Sequence, residues 1–184
     1  MNPVSRTLLK NIGYLVTMDP DRRVLRNAWL LAEDGVIRSV GTGPAPRVAK
    51  ATVVDARGGI ALPGLINTHH HMFQNLARAF EPIASLPLLP WLAGHMPLWR
   101  HFNPDDLFVA TQVACAELML SGCTLTTDHH YLFPRDGSAG MLDAGFNAAA
   151  AMGIRYVGCR GSVNLPSDIM PDWACQDLDV ILAD

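Results

Sequence analysis

The run Leu62–His71 (LPGLINTHHH) constrains the fold of this chain more than any other segment. Its Pro-Gly pair predicts a turn, and the short apolar stretch that follows predicts a buried β-strand ending in three consecutive histidines. Because side chains alternate across a strand, His69 and His71 point to one side and His70 points to the other. Two imidazoles side by side make half of a divalent metal site, so we predict that His69 and His71 bind a metal and that His70 is structural. The alternative is that they are ordinary polar residues at a strand end.

Residues 1–62 have the pattern of a small all-β region. The tripeptide Glu33-Asp34-Gly35 separates two apolar runs, and Asp-Gly in such a place is a strong hairpin signal. The strand-like runs are Leu8–Asn11, Gly13–Thr17, Ala28–Ala32, Val36–Val40, Thr52–Asp55 and Ile60–Leu62. These runs make a small sheet and not a complete sandwich. We therefore expect a small, incomplete sheet over residues 1–62.

After Pro63 the pattern changes to alternating strands and helices, which predicts an α/β fold with a parallel sheet. Predicted helices run from about Asn103, as N-cap, to Ser121, with Gly122 at the C-terminal cap, from Ser138 to Met152 and from Asp177 to Asp184; predicted strands are Cys123–Asp128 and Ile154–Arg160. Polar residues gather at strand ends, as at the C-terminal face of a (β/α)8 barrel. Because a barrel needs eight repeats and about three are visible here, we expect residues 63–184 to be the first units of an incomplete barrel.

The apolar segment Pro82–Trp99 is the most membrane-like stretch of the chain. Its four prolines do not suit a spanning helix of about 20 residues. We expect a loop or a broken helix that covers a cavity. His95, within this segment, and His101, just after it, are expected to be ordinary loop residues.

Composition and charge exclude several classes of protein. The net charge is −3 and no basic patch is present, which argues against a nucleic-acid partner. The four cysteines are widely spaced and form no C-x-x-C pair, so we expect free thiols in the core of a cytoplasmic protein. Residues 1–6 lack the apolar core of a signal peptide, and no segment predicts a membrane partner.

Several segments carry a family resemblance. They are residues 63–71 (PGLINTHHH), 72–79 (MFQNLARA), 88–92 (LLPWL), 120–124 (LSGCT), 128–134 (DHHYLFP) and 160–162 (RGS). Together they resemble the amidohydrolase superfamily of metal-dependent hydrolases, in its 8-oxoguanine deaminase branch, which is close to the hydroxyatrazine and s-triazine hydrolases. The resemblance implies a (β/α)8 barrel and a β-sandwich built from both chain ends. Residues 1–62 would be the N-terminal strands of that sandwich, and residues 63–184 the first strand-helix units of the barrel. It also implies a later His and Asp as metal ligands and a Glu and a His for proton transfer, all expected beyond Asp184.

The resemblance implies one Zn²⁺ ion in the complete enzyme, with Fe²⁺ or Mn²⁺ as alternatives, and assigns His69 and His71 as its first two ligands. Zinc lowers the pKa of a bound water to about 7 and so supplies a hydroxide nucleophile. The implied reaction is hydrolytic deamination of an oxopurine such as 8-oxoguanine by a homo-oligomeric enzyme. One alternative is a hydrolase of s-triazines or other N-heterocycles. Another, of a different class, is a non-catalytic truncated or partner-dependent fragment, and we expect the isolated chain to be inactive.

Three kinds of side chain are candidates for substrate contact. The carboxamide of Gln74 can both donate and accept hydrogen bonds at the edge of a heterocycle. Trp91 or Trp99 could stack on a planar ring, although aromatic residues in an apolar loop also serve as packing. Arg160 ends the third strand of the barrel region, where it could bond a substrate carbonyl or form a salt bridge between loops.

Asp128, His129 and His130 end the second strand of that region, on the face where the site is expected. They could orient a metal-bound histidine or line the pocket, because carboxylates behind a ligand often fix an imidazole tautomer. The alternative is a structural hydrogen-bond network. The loop Val163–Trp173 departs from the Gly-rich, Pro-Pro loop of the resembling sequences, which leaves the substrate open but not the reaction class.

Overall fold

The computed structural model describes residues 4–135 and 139–183. The chain forms two compact units, Met1–Pro63 and Gly64–Asp184, each with its own sheet. Within the described residues, no helix is long and apolar enough to cross a membrane.

The first unit is a five-stranded sheet built around its first strand. Its strands are β1 (Arg6–Val16), β2 (Val24–Glu33), β3 (Val36–Thr42), β4 (Ala51–Asp55) and β5 (Ile60–Ala61). Strand β1 pairs antiparallel with β2 and parallel with β4 and β5, and β3 extends the sheet beyond β2. Ile12, Leu15 and Ala28 are buried together and form the centre of its apolar cluster.

Backbone geometry explains one strand prediction that was correct and one that was wrong. The hairpin predicted at Asp34-Gly35 is present, and both residues have positive φ (48° and 77°), as a type I′ turn requires. The runs predicted as two strands, Leu8–Asn11 and Gly13–Thr17, are instead the single strand β1. Its register shifts between Leu9 and Ile12, so an irregularity in the ladder interrupts the alternation that the prediction relied on.

The second unit contains a three-stranded parallel sheet in the order β6-β7-β8. The strands are β6 (Leu65–Asn67), β7 (Cys123–His130) and β8 (Arg155–Arg160). The helices are α1 (Leu88–Trp99), α2 (Pro104–Leu120), α3 (Met141–Met152) and α4 (Leu178–Ala183), with short 3₁₀ turns at Met72–Leu76, Glu81–Ile83 and Asp172–Ala174. Helices between successive parallel strands are the repeat of a (β/α)8 barrel, which confirms the predicted fold class.

Helix α2 begins and ends where its sequence indicates. The Asn103 side chain accepts hydrogen bonds from the Asp105 and Asp106 N–H groups, and the Asp106 carboxylate accepts from the Asn103 N–H. This reciprocal capping box satisfies donors that would otherwise be unpaired at the helix start. Gly122 follows the helix with a positive φ of 88°, which glycine adopts without strain.

The later helices begin or end close to the predicted positions. Helix α3 starts at Met141 and stops at Gly153, whose φ is 76°. Its predicted start, Ser138, lies outside the described residues. The last helix, α4, covers Leu178–Ala183, and its predicted end at Asp184 also lies outside them.

The prediction of a loop or a broken helix is wrong for residues Leu88–Trp99, which form one helix, α1, with Pro97 inside it. Pro90 lies in the first turn, where backbone N–H groups have no partner within the helix, so proline costs little there. His95 is therefore not a loop residue. It is buried, with Nδ1 2.9 Å from the Trp91 carbonyl oxygen and Nε2 3.0 Å from that of Ala77.

The cysteines also depart from expectation at one position. Cys115, Cys123 and Cys175 are buried, as predicted for core thiols, but Cys159 is exposed. The reason is strand alternation, since Cys159 lies on the face of β8 opposite to Tyr156, whose ring packs on Phe146 of α3.

We expect the substitution Asn103→Ala to lower the free energy of unfolding by about 1 kcal/mol, because it removes the capping side chain of α2. Urea unfolding of the purified chain, followed by far-UV circular dichroism, measures the change. Asn147→Ala is the matched control, since Asn147 is an exposed residue inside α3. Equal stability of Asn103→Ala and the wild type would contradict the capping role.

Candidate functional site

The candidate site lies where β6 and β7 end. These strands pair in parallel with Asn67 opposite Thr126, so the residues that follow them meet at the same edge of the sheet. Strand β6 ends at Asn67, earlier than predicted, and the three histidines therefore lie in the segment that follows it. The His129 N–H donates a 2.8 Å hydrogen bond to the His70 carbonyl and so fixes this segment to β7.

His69 and His71 lie side by side, with ring centroids 5.1 Å apart and ring planes at 78°. The Nδ1 atom of His71 is 2.8 Å from the carbonyl oxygen of His129. A carbonyl oxygen can only accept, so Nδ1 carries the proton and the Nε2 atom of the neutral ring keeps its lone pair. This is the tautomer that coordinates a metal through Nε2, and the carbonyl also holds the ring orientation.

A zinc ion fits this pair of imidazoles but needs more ligands than they supply. Catalytic zinc sites use three protein ligands and leave one position for water. Across residues 4–135 and 139–183, no group of three or more His, Cys, Asp or Glu side chains is placed to hold a metal. His69 and His71 therefore make a partial site.

Asp128 lies behind the histidine segment and ties it to the third strand. Its side chain is buried, with Oδ1 accepting from the Met72 N–H at 2.9 Å and Oδ2 accepting from the Tyr156 hydroxyl at 3.0 Å. Burial raises the pKa of this carboxyl, and the two hydrogen bonds oppose that increase. The carboxylate thus holds the residue after His71 and does not bond an imidazole directly.

His129 and His130 point to opposite faces of β7. The His129 ring is exposed, with its centroid 5.5 Å from that of His71. It lies against Gly161, where any Cβ atom would come within 2.6 Å of His129 Nε2. The His130 ring is 1% exposed and packs edge-on against Phe73 and Phe133.

Burial dominates the electrostatics of two of these histidines. It lowers the pKa of His130 to about 4, and among the described residues neither ring nitrogen has a well-formed hydrogen bond. Burial also lowers the pKa of His70, although the nearby Asp128 carboxylate acts in the opposite direction. Burial therefore favours the neutral form of both imidazole rings.

Tyr131 connects Gln74 to His71, one of the two predicted metal ligands. Its Nε2 donates a 3.0 Å hydrogen bond to the Tyr131 hydroxyl. The Tyr131 ring packs edge-on against His71, with centroids 5.1 Å apart, and against Phe73 at 5.2 Å. Gln74 is only partly buried, so its amide can also meet a ligand.

Arg160 is held by its own surroundings. Its guanidinium lies 4.1 Å from the centroid of the Phe133 ring, and Nη2 donates to Gln176 Oε1 at 2.8 Å. Nη1 donates to the Gly161 carbonyl at 2.6 Å. These contacts fix the loop after β8, and contact between Arg160 and a substrate stays a prediction.

The two tryptophans belong to the apolar cluster around α1. The Trp91 ring is partly buried, with its centroid 4.1 Å from that of His95 and 5.7 Å from that of Trp99. Trp99 is completely buried. The described ring contacts of Trp91 therefore do not include His69, His71 or Gln74, and its role in substrate stacking stays a prediction.

Sequence reasoning missed two tyrosines that connect the site. Tyr131 bonds Gln74, and Tyr156 bonds Asp128 across strands β7 and β8. The signal for Tyr131 was its place directly after the two histidines that end β7. Tyr156 carried no motif, because its hydrogen bond depends on the register that places Asp128 opposite Gly158.

We expect the stability of the chain to fall as the pH drops from about 6.5 to about 4. The unfolded state binds a proton on His130 near its ordinary pKa of 6.5, whereas the folded state resists protonation until about pH 4. Below that window both states are protonated and the loss is complete. Between pH 7 and pH 5 the contribution is on the order of 2 kcal/mol.

Urea unfolding at several pH values checks this expectation against the variant His130→Gln. The variant should lose less stability than the wild type over the same range. His101→Gln, which replaces an exposed histidine, should follow the wild type. Parallel pH profiles for wild type and His130→Gln would show that the buried ring does not carry the effect.

Comparison with known proteins gives the site its context. An 8-oxoguanine deaminase from Pseudomonas aeruginosa is 42% identical over an alignment of 159 positions that covers 84% of this chain and 35% of that protein. Hydroxydechloroatrazine ethylaminohydrolase from Pseudomonas sp. strain ADP is 36% identical over an alignment of 196 positions, gaps included, that covers 98% of this chain and 40% of that protein. The crystal structure of atrazine chlorohydrolase from Arthrobacter aurescens TC1 complexed with zinc superposes with a TM-score of 0.85 at 28% identity, covering 96% of this chain and 41% of that one.

The chain thus spans between 35% and 41% of the length of these relatives, from their N-terminal portion. The family model for the amidohydrolase family matches residues 60–180, which include β6, β7, β8 and the histidine segment. By name, the first two relatives are a deaminase and an ethylaminohydrolase, which act on C–N bonds, and the third is a chlorohydrolase. With most of its length matched by the family model, this chain belongs to the amidohydrolase family.

Proposed function

We propose that this chain supplies the first part of a metal-dependent aminohydrolase that deaminates an oxopurine such as 8-oxoguanine. The observation that carries the proposal is the pair His69 and His71, with His71 Nδ1 bonded to the His129 carbonyl. That bond leaves Nε2 ready for a metal at a strand end of the sheet. The 42% identity to an 8-oxoguanine deaminase supports the choice of substrate class.

The reaction replaces a ring-bound amino group by oxygen, so water adds to the ring carbon and ammonia leaves. The zinc ion, which a related crystal structure contains, supplies a water of lowered pKa when bound. In this chain His69 and His71 would hold the ion. Gln74 would contact the edge of the heterocycle, with Trp91 and Arg160 as further proposed substrate contacts.

Other side chains would keep these groups in place. We assign Asp128 the role of holding the backbone after His71, and His129 that of orienting the His71 ring through its carbonyl group. His130 would support the pocket from the buried face of β7. The proton-transfer residues and remaining ligands would lie beyond Asp184.

A second candidate is the hydrolysis of an s-triazine. It is favoured by the 36% identity to hydroxydechloroatrazine ethylaminohydrolase and by the similarity to atrazine chlorohydrolase. Both candidates use the same histidine pair and differ in the heterocycle. The proposal further places the complete enzyme in the cytoplasm, which suits the four free thiols of this chain. It also takes the complete enzyme to be a homo-oligomer.

We expect the purified chain to bind Zn²⁺ weakly, and His69→Ala or His71→Ala to weaken that binding at least tenfold. Each substitution removes one of only two imidazole ligands. Isothermal titration calorimetry measures the dissociation constant. His101→Ala, outside the site, is the control and should bind as the wild type does. Unchanged affinity in either site variant would refute the assignment of His69 and His71 as metal ligands.

We expect residues 1–184 alone to show no deaminase turnover, because two ligands do not complete a catalytic zinc site. Ammonia release from 8-oxoguanine, with zinc present, measures this directly. The natural polypeptide in which this sequence occurs should release ammonia faster from 8-oxoguanine than from a hydroxylated s-triazine. The reverse order would favour the second candidate, and robust turnover by residues 1–184 would disprove their inactivity.

A further inference from the structure

We propose that Tyr131 is a positioning residue that fixes which end of the Gln74 carboxamide faces the bound heterocycle. This inference rests on the proposed function, because it gives a selective role to the amide assigned to substrate contact. Tyr131 is not one of the metal ligands and does not belong to the proposed substrate contacts. Its importance comes from its position between the histidine pair and Gln74.

The first step is the hydrogen bond itself. Gln74 Nε2 donates to the Tyr131 hydroxyl at 3.0 Å, which directs the NH₂ end of the carboxamide toward the tyrosine. The carbonyl end, Oε1, is then left to face other groups. Oε1 only accepts hydrogen bonds, so it selects a ligand that presents an N–H group at that edge.

The second step is the rigidity of the tyrosine. Its ring packs edge-on against Phe73 at 5.2 Å and against His71 at 5.1 Å, with ring planes at 86° and 83°. Phe73 is completely buried. The hydroxyl is therefore held at a fixed point, because a ring locked between neighbours has little rotational freedom to lose when it binds the amide.

The third step concerns the discrimination that follows. A free carboxamide can rotate by 180° and offer either its donor or its acceptor to a ligand. A carboxamide whose NH₂ group donates to Tyr131 cannot rotate without losing that bond, so Oε1 keeps its place as an acceptor for the ligand. We infer that the site favours heterocycles with a lactam or amino N–H at this edge over analogues in which that N–H is methylated.

The test removes the hydroxyl and keeps the ring, with the variant Tyr131→Phe. In the purified chain, ¹⁵N NMR of the side-chain amide reports the Gln74 Nε2 protons, assigned by their loss in Gln74→Leu. We expect these signals to shift in Tyr131→Phe and to stay in place in Tyr14→Phe, a control in the first unit. Zinc affinity should change less than twofold, because the ring that packs on His71 remains.

In the natural polypeptide, Tyr131→Phe should raise KM for the unmethylated heterocycle about threefold to tenfold with kcat nearly unchanged, as expected for one lost neutral hydrogen bond. It should also reduce the preference over the N-methylated analogue by a similar factor. A merely structural tyrosine would move neither the KM-against-kcat split nor this preference.

The outcomes separate this inference from the proposed function. Absence of turnover of any heterocycle by the wild-type natural polypeptide would overturn the proposed function and, with it, the assigned substrate role of Tyr131. Unmoved Gln74 amide signals in Tyr131→Phe would overturn the inference even if the wild type is active. They would mean that no hydrogen bond joins the Gln74 amide to the Tyr131 hydroxyl. An unchanged KM and preference in Tyr131→Phe would overturn it as well, provided that Gln74→Leu raises KM.

Discussion

The hydrogen bond between His71 Nδ1 and the His129 carbonyl is the interaction on which the site depends. It joins the segment after β6 to the end of β7, and it selects the imidazole tautomer in the same step. The acceptor is a backbone atom, so its position follows from the strand and not from a flexible side chain. A reciprocal backbone bond, from the His129 N–H to the His70 carbonyl, keeps the two segments in register. The parallel sheet thus sets the chemistry of the histidine before any metal binds.

Behind this link lies a buried polar layer that holds the segment from the other side. The Asp128 carboxyl, 1% exposed, is compensated by the Met72 N–H and the Tyr156 hydroxyl. A buried carboxyl without such partners would cost several kcal/mol, so each donor is a condition for placing an acid there. The Met72 bond anchors the residue next to His71. The hydrogen bond from Tyr156 connects Asp128 to β8. Residues of β7 and β8 thus help to hold the segment after β6 that carries the His71 imidazole.

The sequence predicted what depends on local pattern and failed where register or packing decides. Asn103 and Gly122 marked the ends of α2 because capping is chemistry of neighbouring residues. The spacing of His69 and His71 predicted that their rings lie side by side, and they do. Strand β6 ends at Asn67, however, so both histidines lie in the segment after the strand. The segment that contains α1 was predicted as a loop or a broken helix, because its prolines were counted without regard to their place along the chain. The contacts of Gln74 and Asp128 with tyrosines could not be predicted, because they join residues more than 25 positions apart.

The two faces of the parallel sheet carry different kinds of side chain. On one face Asp128 and His130 are buried, and their neighbours are aromatic rings and backbone donors. On the other face lie Val157, 48% exposed, and the register pair His129 and Cys159, both exposed. In a closed (β/α)8 barrel, inward-pointing branched side chains fill the interior in layers below the site. Val157 is such a branched residue, and polar groups lie nearer the C-terminal end of its strand. This order matches a barrel whose interior is apolar and whose active site lies at the C-terminal ends of the strands. Val157 below His129 and Cys159 therefore suits the interior of such a barrel.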